Sequence, residues 1–227
     1  IKNTFLFQNN ATNMTSLFEG IIFDLDGTLW NPTGIAANAY NKAIEITGTN
    51  TSKISAEILQ QEFGKPLDKI AMDLWPNLSE EKRSKLVSCV VEEEEKELRN
   101  SHINVIYPGV IETLKCLSSS YNFYIVRNCH LGYMEIALEK TKLLPYIKDY
   151  EYFGRTLKNK AENIKLIMER NNIKSAVYVG DTQGDADSCI AADVPFIWAS
   201  YGFGEVSKYW AKIDQFSDLI KILKPSE

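Results

Sequence analysis

The chain is 227 residues long, with 44% hydrophobic and 24% charged residues, enough apolar mass for one core or for a core with an inserted subdomain. Lysine and arginine number 25 against 30 acidic residues, a net charge of −5, and no basic stripe exists to follow a nucleic-acid backbone. No apolar run approaches the roughly 20 residues of a membrane-spanning helix, so neither nucleic acid nor membrane is expected as a partner.

Residues 1–16 are read as an N-terminal extension. Ile1 to Asn13 lacks the basic start and long apolar centre of a secretory signal, and Met14 is a plausible natural start. The apolar run Ile21-Ile22-Phe23 predicts a first strand, followed at once by Asp24-Leu25-Asp26-Gly27-Thr28. Carboxylates two residues apart at a strand end point to the same side. The Gly-Thr pair is expected to turn the chain and leave backbone amides open to an anion. One carboxylate could attack phosphorus while its neighbour handles a proton, with a divalent cation relieving their repulsion. Trp30 is expected to pack at a hinge.

Residues 32–104 contain no convincing strand and read as several helices. Ala36–Ile46 is apolar at helical spacing. Ser55–Phe63 follows Ser52 as a possible cap, and Ser79 precedes the long pattern Glu80–Arg99. The acidic run Glu92–Glu95 is expected to be a solvated helix face. From Tyr107-Pro108-Gly109 onward strands and helices alternate: helix Gly109–Leu117, strand Phe123–Val126, helix Tyr133–Lys140 and a weaker strand Tyr150–Phe153. Helix Ala161–Arg170, strand Ala176–Val179, helix Asp185–Ala191 and strand Pro195–Trp198 follow. This rhythm predicts an α/β fold: a Rossmann-like parallel sheet core (17–31 and 105–227) with helices on both faces, and an inserted all-helical cap (32–104). Such sheets hold ligands at the carboxyl ends of their strands.

A second acidic cluster, Gly180-Asp181-Thr182-Gln183-Gly184-Asp185, follows the strand Ala176–Val179. Two carboxylates there could converge on Mg²⁺, or could simply cap the helix that begins there. Cys89, Cys116, Cys129 and Cys189 show no paired spacing and read as buried thiols in a reducing cytoplasm.

From Gly20 to about Trp198 the chain resembles the haloacid dehalogenase superfamily of phosphotransferases. Asp24 to Thr28 matches its first signature, Asp-x-Asp-Gly-Thr, and Gly180 to Asp185 its last, Gly-Asp-x-x-x-Asp. The helical insert is similar to the cap of the beta-phosphoglucomutase and phosphoglycolate phosphatase branch. The resemblance implies that Asp24 is the nucleophile and Asp26 the acid and base. It implies that Asp24, Asp26 (through its carbonyl) and Asp181 hold Mg²⁺, with Asp185 orienting that shell, and that Gly27 and Thr28 meet the phosphate. A lysine is implied beside the nucleophile: Lys160, with Lys158 as the alternative. An acid at position 26 favours phosphoryl transfer over dehalogenation.

The second motif departs from the family. Where Ser or Thr normally precedes Asn, this chain has Arg127-Asn128. Three readings stand: Arg127 clamps the phosphate beside Asn128, swings out, or blocks the pocket. His130 reads as structural. Lys65, in Phe63-Gly64-Lys65-Pro66-Leu67 between two cap helices, is either a substrate contact or a solvated turn residue. The expected function is a cytoplasmic, Mg²⁺-dependent phosphatase of small phosphomonoesters. A sugar-phosphate mutase, or a weakly catalytic binding or regulatory member silenced by Arg127, stands beside it.

Overall fold

The computed structural model describes residues 18–223, so the expected extension 1–16 lies outside it. The first strand, β1 (Gly20–Phe23), leads into four helices: α1 (Thr33–Thr47), α2 (Ala56–Glu62), α3 (Leu67–Leu74) and α4 (Glu80–Asn100). The chain then passes through α5 (Val110–Leu117), β2 (Asn122–Arg127), α6 (Tyr133–Thr141), β3 (Ile147–Tyr152) and the short α7 (Phe153–Thr156). It ends with α8 (Lys160–Arg170), β4 (Ala176–Gly180), α9 (Gln183–Ala192), β5 (Phe196–Ala199), β6 (Ala211–Ile213) and α10 (Leu219–Leu223).

The six strands form one parallel sheet in the order β3-β2-β1-β4-β5-β6. Because strand side chains alternate, each central strand feeds two cores. Ile21 and Phe23 of β1 and Val177 and Val179 of β4 meet Leu114, Met134 and Leu219 on one face. Ile22, Tyr124 and Tyr178 meet Ile164 and Cys189 on the other. The chain leaves β1 toward β2 on one side and later returns to β4 on the other. The carboxyl end of β1 is therefore the switch point of the sheet, where a crevice must open.

Helices α1–α4 bury a third core of their own, built around Tyr40, Leu59, Trp75, Leu86 and Val90. The segments leading into and out of this cap pair with each other. Asn31 N–H donates to Val105 O (2.7 Å) and Tyr107 N–H to Leu29 O (3.1 Å), with an isolated bridge between Trp30 and Ile106.

Several expectations change in detail. The cap of α2 is Ser55, whose side chain accepts from Ile58 N–H (3.3 Å), not Ser52. The third strand begins at Ile147, and Phe153 opens α7. The three-residue β6 and the helices α3 and α10 are additions, too short or too close to Pro66 to break the polar background around them. Of the cysteines only Cys129 and Cys189 are buried, and Cys116 is exposed.

Candidate active site

Three strand ends and two helix starts converge on the crevice. Asp24 follows β1, Arg127 is the last residue of β2, Asp181 follows β4, and Lys160 is the first residue of α8. Asp24, Asp26, Arg127, Lys160, Asp181 and Asp185 are all buried. Burying so many charges is tolerable because five of them pair and Asp181 accepts hydrogen bonds. Lys160 Nζ donates to Asp24 Oδ1 (2.8 Å) and also binds Asp185. Arg127 donates to Asp24 Oδ2 (3.4 Å) and, through its other terminal nitrogen, to Asp26.

Local structure places each group. The side chain of Asn159 caps α8 in a reciprocal box with Glu162, which fixes Lys160 at the helix start and turns it into the crevice. Lys158 is exposed. Asp185 plays two parts. Its Oδ2 accepts from Thr182 N–H (3.0 Å), Thr182 Oγ1 (2.8 Å) and Asp181 N–H (3.2 Å), while its Oδ1 faces Lys160. The helix-capping and metal-binding readings of this cluster are therefore compatible.

The turn after β1 closes on itself. Gly27 N–H donates to Trp30 O (2.8 Å) and Thr28 N–H to Leu25 O (3.3 Å), so these two amides are not left open as expected. Thr28 instead offers its hydroxyl to Asp181 Oδ1 (3.1 Å). Gly27 has φ +79°, and a Cβ there would overlap Asp181 Oδ2. Gly202 would likewise collide with Asp181, whose Oδ2 accepts from Phe203 N–H (2.8 Å). The backbone thus wraps Asp181 closely, and only glycine fits at either contact.

Burial raises the Asp24 carboxyl above the usual carboxylate range, against the pull of Lys160. Burial also pushes Asp26 up to about 6, although Arg127, Trp30 and Tyr133 favour its ionised form. Asp181 is raised well above the ordinary range by burial and then by its neighbours Asp185 and Asp24. For Asp185 burial is outweighed by Lys160, which holds it below that range. Lys160 is raised because Asp185 and Asp24 overcome its own desolvation.

Asp24, Asp181 and Asp185 can each direct one oxygen to a common point, with these oxygens all within 4.8 Å of one another. Four buried carboxyls face two buried cations here, so with all four ionised two negative charges would stand uncompensated, a deficit that one divalent ion would relieve. An all-oxygen donor set with that deficit fits Mg²⁺. The side chain of Asp26 is not among the three.

Several site residues escaped sequence reasoning. The Trp30 indole N–H binds Asp26, and Tyr133 Oη donates to the same carboxylate (3.0 Å). Tyr178 Oη donates to Val126 O (2.8 Å) under Asp24. Glu93 and Glu94 contradict the solvated-face reading: both are buried, and Glu94 Oε2 meets His130 Nε2 at 3.1 Å. Glu94 had no local signal, since its burial depends on α6 packing against α4.

The cap closes over the crevice through contacts beside Arg127. Asn128 Nδ2 donates to Gly64 O (2.9 Å), and Phe63 packs edge-on against Phe203. Between cap and core remains a cavity of about 30 Å³, bordered by Asp26, Phe63, Glu94, Arg127, Asn128 and Tyr133. Lys65 lines it too, with Nζ held by Glu62 (2.6 Å) and Asp73 (2.7 Å).

The family model for haloacid dehalogenase-like hydrolases matches residues 21–199, a span that includes both acidic motifs. The chain belongs to this hydrolase family. Known folds agree. A predicted phosphoglycolate phosphatase from Haemophilus somnus superimposes with a TM-score of 0.79 at 22% identity, covering 90% of this chain and 97% of that one. A predicted phosphatase from Clostridium acetobutylicum gives 0.76 at 22% identity, covering 91% and 98%. CbbY from Rhodobacter sphaeroides, crystallised in complex with phosphate, gives 0.73 at 15% identity, covering 89% and 96%. No curated protein matches the chain. Among the described residues no helix is long and apolar enough to cross a membrane.

Proposed function

We propose that this hydrolase is a Mg²⁺-dependent phosphatase of small phosphomonoesters that works through an aspartyl-phosphate on Asp24. The observation that carries the reading is the buried constellation itself: a nucleophile-grade carboxylate, a second carboxyl two residues on, a lysine between two aspartates, and a two-charge deficit. Bound by Asp24, Asp181, Asp185 and the Asp26 carbonyl, Mg²⁺ would neutralise the incoming phosphate and let it approach a carboxylate.

The residues divide the work. Asp24 attacks phosphorus, and the bond to the alcohol breaks. Asp26, whose proton burial retains up to about pH 6, protonates the departing oxygen. It then takes a proton from the water that hydrolyses the acyl-phosphate, which returns both carboxyls to their starting states. Trp30 and Tyr133 aim Asp26 through this exchange. Lys160 orients Asp24 and opposes the burial that disfavours its ionised form. Arg127, with one terminal nitrogen near each carboxylate, passes to the phosphoryl oxygens when substrate enters, alongside Asn128. The helices of residues 32–104 act as a lid on the paired Asn31–Val105 and Leu29–Tyr107 segments, since 30 Å³ admits water but no phosphomonoester. Unpaired cysteines suit a cytoplasmic setting.

A second reading rests on Arg127 alone. It occupies both carboxylates, which would suit a member that binds phosphorylated ligands without turning them over. Phosphate release from a phosphomonoester panel, with and without Mg²⁺, separates the two. Metal-dependent release that is lost in Asp24→Ala supports the phosphatase. Release that appears only in Arg127→Ser supports the silenced binder. Absence of release from every variant would refute the phosphatase.

A further inference from the structure

The cavity between cap and core carries an imbalance in hydrogen-bonding chemistry. Every cationic side chain that borders it is already paired with a carboxylate, and among the described residues the one buried donor they leave over is Arg127 Nε. Lys65 holds Glu62 and Asp73, Arg127 holds Asp24 and Asp26, and His130 holds Glu94. Acceptors, in contrast, are in surplus. Asn128 donates its amide N–H to Gly64 O, which settles the orientation of the amide and leaves Oδ1 buried with no partner. Glu94 is 4% exposed and uses Oε2 for His130, while Oε1 accepts no hydrogen bond among the described residues. The remaining wall is apolar or aromatic, from Tyr40, Phe63, Leu67 and Ile70.

We propose that this cavity selects phosphomonoesters whose leaving group is uncharged and hydroxyl-bearing, a polyol or a sugar, and discriminates against leaving groups that carry a carboxylate or a second phosphate. The inference rests on the phosphatase reading for its reaction but on the cavity alone for its selectivity. A hydroxyl supplies the donor that Asn128 Oδ1 and Glu94 Oε1 lack, and its carbon face covers the aromatic wall. A second anion would face Glu94 and, short of stripping a cation from its carboxylate partner, would find Arg127 Nε as its single charged donor. An ammonium would meet Arg127 in the same small space. Glu94 is accordingly the specificity-determining residue of the cap, and Asn128 its counterpart on the core.

The test separates selectivity from turnover. Asp24→Asn, which lacks the nucleophile, is titrated calorimetrically in the presence of Mg²⁺ with glycerol 1-phosphate, 2-phosphoglycolate, phosphoethanolamine and a sugar bisphosphate. Glycerol 1-phosphate is expected to bind at least about tenfold tighter than each of the others, the value of roughly one well-made hydrogen bond to a charged acceptor. Glu94→Gln in the same background is expected to shrink that preference severalfold, since a neutral amide neither attracts the hydroxyl as strongly nor repels the anion. Equal or tighter binding of 2-phosphoglycolate, phosphoethanolamine or the bisphosphate overturns the proposal, as does a preference untouched by Glu94→Gln. Kinetics with p-nitrophenyl phosphate on the unmodified chain reports the phosphatase reading separately. Silence there, with the binding preference intact, would refute the reaction and leave the selectivity standing.

Discussion

The core end of the crevice and the cap above it solve opposite problems. At the core end, six ionisable side chains are withdrawn from water: Lys160 and Arg127 bridge Asp24, Asp26 and Asp185, and Asp181 accepts hydrogen bonds from Thr28 and Phe203. In the cap, the interior is an ordinary apolar cluster, and charge sits mostly outside. Few polar contacts bind the cap to the rim of the crevice: Asn128 to Gly64, and His130 to Glu94. The difference shows where rigidity is placed. The crevice end is locked by mutually dependent charges, while the helices above it bury an apolar cluster of their own and meet the rim through a few hydrogen bonds.

The largest way to break the core half is to remove the proposed nucleophile. Asp24→Ala is expected to lower phosphate release by at least about a thousandfold, because the covalent route is lost, not merely slowed. A steady-state assay on the mutant that retained more than a tenth of the activity would contradict the role of Asp24.

Next comes Gly27→Ala. It forces a side chain into the left-handed region at φ +79° and into Asp181 Oδ2. The backbone strain alone costs about 1 kcal/mol, and displacing Asp181 should weaken Mg²⁺ binding about tenfold or more in calorimetric titration. Unchanged affinity would show that Asp181 is not a ligand.

Arg127→Ser tests how far the core half depends on its own charges. Removing one partner of a buried pair should cost about 3 kcal/mol in metal-free protein, read by denaturant unfolding. The deficit should widen as pH rises, because burial already lifts both Asp24 and Asp26 and the loss of Arg127 lifts them further. Carboxyls with raised folded values favour the fold at low pH and oppose it once they must ionise. A pH-independent deficit would mean that the pair carries no net charge coupling.

The cap linkage should respond to pH with the opposite partner in view. Burial alone would lower the His130 imidazole, but the hydrogen bond and charge of Glu94 prevail and hold it above its ordinary value of 6.5. A raised folded value contributes stability that is complete below the unfolded value and is lost as pH rises through the folded one. The difference in unfolding midpoint between the unmodified chain and His130→Gln should therefore be greatest near pH 5.5 and should shrink above neutrality. A constant difference would show that the pair is not ionic.

The smallest effect belongs to the cap alone. Ser79→Ala removes the hydroxyl that accepts from Lys82 N–H at the start of α4, and should cost about 1 kcal/mol. Phosphate release at low temperature should be unaffected, since the contact lies outside the crevice.

Much of this architecture was readable in the chain. The aspartates beyond β1 and β4 were legible as short-spaced motifs, Asp24 with Asp26 and Asp181 with Asp185, each directly after an apolar strand run. The helical period between residues 32 and 104 marks an insertion that cannot join a sheet. Lys160 stands at a helix start, where a lysine gains nothing locally, and that discomfort points to a remote partner. These are all consequences of local geometry, which sequence encodes directly.

Other features depend on which surfaces meet. That Arg127 would neither swing away nor stand apart, but bind Asp24 and Asp26 together, follows only from the adjacency of β1 and β2. Glu94 reads as one more acid in an exposed run until α4 packs on α6 and carries it to His130. Trp30 and Tyr133 become partners of Asp26 only when the two cap-linking segments pair and α6 closes beside them. By itself the sequence determined the sheet core, the helical insert and the acidic motifs, because strand and helix periods are properties of consecutive residues. Tertiary structure alone decided which charges neutralise one another and which acceptors remain unsatisfied, because both depend on distances between residues far apart in the chain.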